Sequence, residues 1–148
     1  STLKEHDFTE REGKKRRDLK SHRPSKWISL FLCFIQSTSF FYRREIVDND
    51  ILIDKHFDIC MDKEFFSHIL FKGYRLSYVD EFFASFRWHD SNKSLPSPAV
   101  KRKRMKEGLT IFNRYSGIQF SINSLTLKLY EFGIMTSKVF RLALRVSS

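Results

Sequence analysis

The sequence predicts an α/β fold: two or three strands completing a mixed sheet, a helix starting at Asp62, and a helical C-terminal tail. Three observations carry this expectation. Ser37 to Arg43, Tyr74 to Val79 and Phe82 to Trp88 alternate side chains with the period of a half-buried strand. Asp62 to Lys72 places Phe65, Phe66, Ile69 and Leu70 on one helical face, and Gly73 stands where a glycine ends a helix. Beyond Pro98, apolar residues recur at helical spacing through three more segments.

In chain order, residues 1–26 are polar and basic around Lys14-Lys15-Arg16-Arg17, lack periodicity, and read as a loop or arm. Trp27 to Ile35 is apolar and suits a short helix or a buried strand; it is too short to span a bilayer. Asp48 to Asp54 reads as a turn followed by a short apolar segment. Ser91 to Pro98 holds two closely spaced prolines and reads as a loop. Residues 99–115 form a basic helix, with Lys101-Arg102-Lys103-Arg104 near its start and Leu109, Ile111, Phe112 and Tyr115 as its apolar face. A second helix is expected over Ile122 to Tyr130 and a third over Thr136 to Arg145. In the third, Val139, Phe140, Leu142 and Leu144 interleave with Lys138, Arg141 and Arg145, which suits an amphipathic surface helix. The expected division is therefore 1–26, 27–98 and 99–148.

Composition bounds the class. A chain of 148 residues, 41% hydrophobic and 30% charged, is globular and sized for one core. Its 16 Phe residues must be buried or presented to a partner. A formal charge of +10 favours anionic partners: nucleic acid, a membrane face, or phosphorylated ligands. Cys33 and Cys60 have neither C-x-x-C spacing nor a nearby His, and read as buried free thiols of a reducing compartment. His6, His22, His56 and His68 show no ligand spacing. No secretory signal is visible, so a cytoplasmic place is expected, with a peripheral position at the inner membrane face as a refinement. A chain opening on Ser1 is expected to be a piece of a longer protein or a processed one.

Read from Gln36, the order of motifs resembles the acceptor-side, C-terminal part of family 2 glycosyltransferases. Gln36-Ser37-Thr38-Ser39-Phe40-Phe41-Tyr42-Arg43-Arg44 is similar to the family's polar pair leading into an aromatic stretch that ends in Arg-Arg. Ile51-Leu52-Ile53-Asp54-Lys55 is similar to G-x-F-D-E, with Asp54 matching and the usual Gly and Glu replaced. Met61-Asp62-Lys63-Glu64-Phe65-Phe66 resembles the family's acidic helix start, Gly73-Tyr74-Arg75 its G-Y-(K/R), and Phe86-Arg87-Trp88-His89, with Ser91 and Lys93-Ser94 after it, its (F/Y)-R-x-H-x-x-S-x-S. The resemblance covers roughly residues 30 to 95 and implies a GT-A fold, of which this chain would be the C-terminal half.

The resemblance implies roles. Asp62 would be the base that takes a proton from the acceptor hydroxyl in an inverting transfer; read from spacing alone it is equally a helix N-cap. Glu64 is a capping or salt-bridge residue. Arg87 and His89 share a strand face, and the resemblance turns them toward the donor diphosphate and its cation, with His89 as the candidate metal ligand. Gln36 and Ser37 would line the acceptor or donor-sugar pocket, or else close a strand start. A divalent cation, Mn or Mg, is expected in the intact enzyme, but its main ligand motif is not in this chain. Asp48-Asn49-Asp50 spells D-x-D after the aromatic stretch rather than before it, and reads as a turn. The chain holds no glycine-rich phosphate loop, so the donor-binding half is expected to be missing and the chain inactive alone. The expected partners are a nucleotide-diphospho-sugar donor, a glycan or lipid-linked acceptor, and an anionic membrane surface. The rival reading is a basic nucleic-acid-binding or membrane-surface module without catalysis; nucleic acid is disfavoured because no recognition motif accompanies the basic runs.

Overall fold

The computed structural model of the chain describes residues 2–4, 18–20, 25–79, 83–84 and 97–146. Two three-residue strands, β1 (Thr2–Lys4) and β2 (Asp18–Lys20), pair antiparallel with Leu3 opposite Leu19. Helices follow: α1 (Lys26–Ser29), α2 (Glu45–Asp48), α3 (Met61–Phe71), α4 (Pro98–Ser116) and α5 (Ser124–Val146). Among the described residues there is no mixed sheet, and helix dominates. The α/β, GT-A expectation is thereby overturned.

The reason lies in the segments expected as strands. Ser37–Ser39 is a single 3-10 turn, closed by the Ser39 N–H on the Gln36 carbonyl at 3.1 Å. Residues 74–79 are irregular. Tyr74 and Leu76 pack against the core formed by Ile46, Ile51, Phe65, Phe66 and Ile69, while Arg75 and Ser77 are exposed. A chain lying extended across a core edge alternates inward and outward just as a strand does. Alternation therefore reports one buried side, not a ladder partner. Of the third expected strand, only Phe83 and Ala84 are described, and they are irregular.

The helices obey local rules. At the end of α3, Gly73 takes a φ of 91°, its N–H bonds the Leu70 carbonyl at 3.2 Å, and the Tyr74 N–H bonds the Ile69 carbonyl at 3.3 Å. That is the double closure a left-handed residue makes possible. Asp50 repeats it after α2, at φ 57°, with its N–H on Val47 and the Ile51 N–H on Ile46. The Asp48-Asn49-Asp50 triplet is thus a helix-ending turn. Pro98 opens α4 at its first turn, and Ser97 caps it by accepting from the Val100 N–H at 3.1 Å.

Helix α3 is the centre. It contacts α1 on one side and α4 on another, and α4 contacts α5. Phe65, Phe66 and Ile69 are buried as the periodicity predicts, and so are Lys63, Glu64 and Ser67. Each large apolar side chain buried there contributes about 2 kcal/mol. The two C-terminal helices expected on either side of residue 133 are one. Gly133 does not break α5, because it makes room there for a ring: a Cβ would lie 2.5 Å from Phe31 Cε1. Cys60 is buried as expected, whereas Cys33 is exposed.

Candidate functional site

A cleft of about 620 Å³ opens between residues 35–46 and 74–83. Phe40, Phe41, Tyr42, Tyr74, Tyr78 and Phe83 line it, with Ile46 and Ile69 from the core beneath. Phe40 and Tyr42 stack with centroids 5.7 Å apart, and Phe41 meets Phe83 edge to face at 5.6 Å. Arg43, Glu45 and Arg75 add charge to the rim. The Asn49 amide donates to the Tyr74 hydroxyl at 2.8 Å, which ties the turn after α2 to the cleft wall. The segments on the two sides carry Gln36–Arg44 and Gly73-Tyr74-Arg75, motifs about 30 residues apart in sequence.

The sequence-predicted residues fall around this cleft unevenly. Gln36 precedes the 3-10 turn and Ser37 opens it. Their neighbours Ile35 and Ser39 line the cleft; Gln36 and Ser37 do not. Asp62 sits partly exposed in the first turn of α3 and is also off the cleft wall. It lies two turns before Ile69 on the same helix face, about 10 Å along the axis. Asp62 does not cap the helix, since Cys60 is the N-cap of α3. Arg87 and His89 lie outside the described residues.

Around the start of α3 the structure assembles polar contacts that sequence reasoning did not find. Lys63 is buried, and its Nζ donates to the Leu30 carbonyl at 2.7 Å and to the Tyr130 hydroxyl at 2.5 Å. The Tyr130 hydroxyl in turn donates to Leu30 at 2.7 Å. Burial pulls the Lys63 ammonium down to about 8 and pushes the Tyr130 phenol up. Cys33 keeps an exposed surface, yet crowding around its sulfur, and then the nearby Asp62 carboxylate, push its thiol up.

Glu64 is almost wholly buried, and its Oε1 accepts from Arg114 at 2.7 Å and from the Tyr115 hydroxyl at 2.5 Å. Arg114 also donates to Asp54 at 2.8 Å and lies over the Phe57 ring. Burial lowers the Arg114 guanidinium, but its bonds to Asp54 and Glu64 outweigh this and raise it. The backbone N–H of His56, then Arg114, hold Asp54 down at about 2. Glu64 Oε2 is buried with no hydrogen-bond partner among the described residues.

Glu107 of α4 accepts backbone N–H groups from Asp58, Ile59 and Cys60 at 3.3, 2.9 and 2.8 Å. It therefore pins the loop that enters α3. The clue was present in the sequence: Glu107 is the lone acid at the end of the Lys101–Lys106 run. Part of that run is engaged in ion pairs, Lys101 with Glu131 at 2.7 Å and Lys103 with Asp58 at 2.6 Å.

Among the described residues no group of three His, Cys, Asp or Glu side chains is placed to hold a metal ion; the candidate ligand His89 lies outside them. No helix in them is long and apolar enough to cross a membrane. No family model, curated protein or solved structure matches the chain.

Proposed function

We propose that this chain forms the acceptor-binding part of an inverting sugar transferase that draws on a nucleotide-sugar donor. One observation supports the reading above others: the motif-bearing segments 36–44 and 73–75 converge on a single aromatic-lined cleft. Aromatic faces suit the apolar faces of sugar rings, and a few charged groups at the rim suit their hydroxyls. Arg43, Glu45 and Arg75 are those groups. Asp62 is the base of this reading. Its partly exposed carboxylate, about two helical turns from the cleft floor, meets an acceptor that extends out of the cleft along α3. Arg87 and His89 take the diphosphate side.

Titrating the chain with a panel of oligosaccharides tests the reading. Resonances of Tyr42, Tyr74 and Phe83 are expected to shift for at least one glycan, and Tyr42→Ala is expected to weaken that binding about tenfold. In a preparation that turns over a nucleotide sugar, Asp62→Asn lowers transfer by at least about 100-fold at unchanged acceptor affinity. A panel that leaves the cleft resonances unmoved, or an Asp62→Asn enzyme with full rate, overturns the proposal.

A further inference from the structure

Helix α5 buries one side and leaves the opposite side bare. Tyr130 is buried, and Ile134 packs against the core of Ile28, Leu32 and Phe34. On the other side Leu125, Leu129, Phe132, Met135, Val139 and Phe140 are each more than half exposed. At 100° per residue these six fall within an arc of about 140°. With Lys128 and Thr136 within the same arc, they form an apolar stripe along four turns rather than scattered apolar residues. Ile118 and Ile122, in the turn before α5, are exposed as well. Beside the stripe opens an apolar crevice of about 190 Å³, walled by Phe31, Phe112, Phe120, Leu129 and Phe132.

Charge identifies the occupant. Lys128 and Lys138 are exposed on α5, and its last turns carry Arg141 and Arg145 in sequence. Its one acid, Glu131, is committed to Lys101. A second copy of the helix laid on the stripe would bury Lys128, which lies within its arc, with no uncommitted carboxylate on α5 to pair with it. A nucleic acid would answer the charge but not the apolar stripe. An anionic lipid surface answers both: acyl chains take the stripe, and headgroups take Lys128 and Lys138. The helix does not qualify as a membrane span.

We propose that α5 docks this chain flat on an anionic lipid bilayer, with Leu125, Leu129, Phe132, Met135, Val139 and Phe140 entering the interface. The proposal is independent of the aromatic cleft and of any sugar transfer. Co-sedimentation with sucrose-loaded vesicles tests it. The chain is expected to bind phosphatidylcholine vesicles containing about 30% phosphatidylglycerol at least tenfold more tightly than pure phosphatidylcholine. Phe132→Glu with Val139→Glu is expected to abolish binding at an unchanged helical spectrum, and Lys138→Glu to weaken it several-fold. If the double variant loses its helical spectrum, Val139→Trp reads the same point: its emission shifts to the blue on anionic vesicles. Three outcomes overturn the proposal: no binding to anionic vesicles, undiminished binding by a folded double variant, or a Val139→Trp emission that vesicles leave unmoved. A dimer in light scattering that the double variant dissociates, without vesicle binding, assigns the stripe to self-association instead.

Discussion

Lys63 puts an ammonium among Leu30, Cys60 and Tyr130, and among the described residues no carboxylate pairs with it. It is held by a carbonyl and a phenol, which compensate a charge only partly. Its folded value of about 8 against an ordinary 10.5 corresponds to a destabilisation of about 3 kcal/mol at neutral pH. The sign follows from proton counting. Between those two values the unfolded chain holds the proton and the folded chain does not, so the penalty is full below about 8 and fades as pH rises toward 10.5. Cys33, Cys60 and Tyr130, whose folded values are raised, act oppositely above their ordinary values. The effect is therefore read as a difference between proteins. Lys63→Met should equal or exceed the parent in urea midpoint at pH 7, and its advantage should shrink steadily from pH 8 to 10. A constant gap across that range would remove the buried charge as the cause. Of these residues the sequence showed Asp62 and Glu64 as a pair of acids on a helix start. It could not show that Glu64 meets Arg114, because that contact spans 50 residues and depends on how α4 crosses α3.

At the scale of elements, legibility followed locality. Helices α3 and α4 were visible because their apolar periodicity is local, and for α3 so is the terminal Gly73. The strand expected over Tyr74–Val79 failed because an extended edge and a paired strand share one alternation. The sequence split α5 into two helices around Gly133, where the structure places the Phe31 ring 2.5 Å from a would-be Cβ. Gly108 has the same logic. A Cβ there would lie 2.7 Å from the Tyr130 hydroxyl and 2.9 Å from its ring, and that ring is held by Lys63 and Leu30. In an open helix Gly→Ala stabilises by about 1 kcal/mol. Gly108→Ala should instead destabilise by about 2 kcal/mol, because α4 must back away from α5. A raised thermal midpoint for this variant would show that the helices yield without loss. The aromatic cleft was legible only as two motifs; that they face each other follows from Tyr74 and Phe40 sharing one core.

For the whole molecule, the Leu30 carbonyl has a consequence in time rather than in energy. It accepts from Lys63 and Tyr130, so residues 33 and 100 positions away converge on one oxygen. Contacts between neighbouring segments close small loops, while the Tyr130 contact closes a loop of 100 residues. Ordering so long a loop is favourable only once α1 and α3 already offer a surface to receive α5. The docking of Tyr130 on Leu30 is then expected to follow the rate-limiting barrier. Tyr130→Phe, which removes the hydroxyl and leaves the ring, should speed unfolding several-fold and leave the refolding rate nearly unchanged, as stopped-flow chevrons would read. Slowed refolding would place α5 in the nucleus. On the late schedule, the chain spends the end of its folding with the inner side of its longest helix still uncovered. The stripe on the outer side stays uncovered afterwards, so α5 is the last element to leave water on one face and the one still waiting on the other.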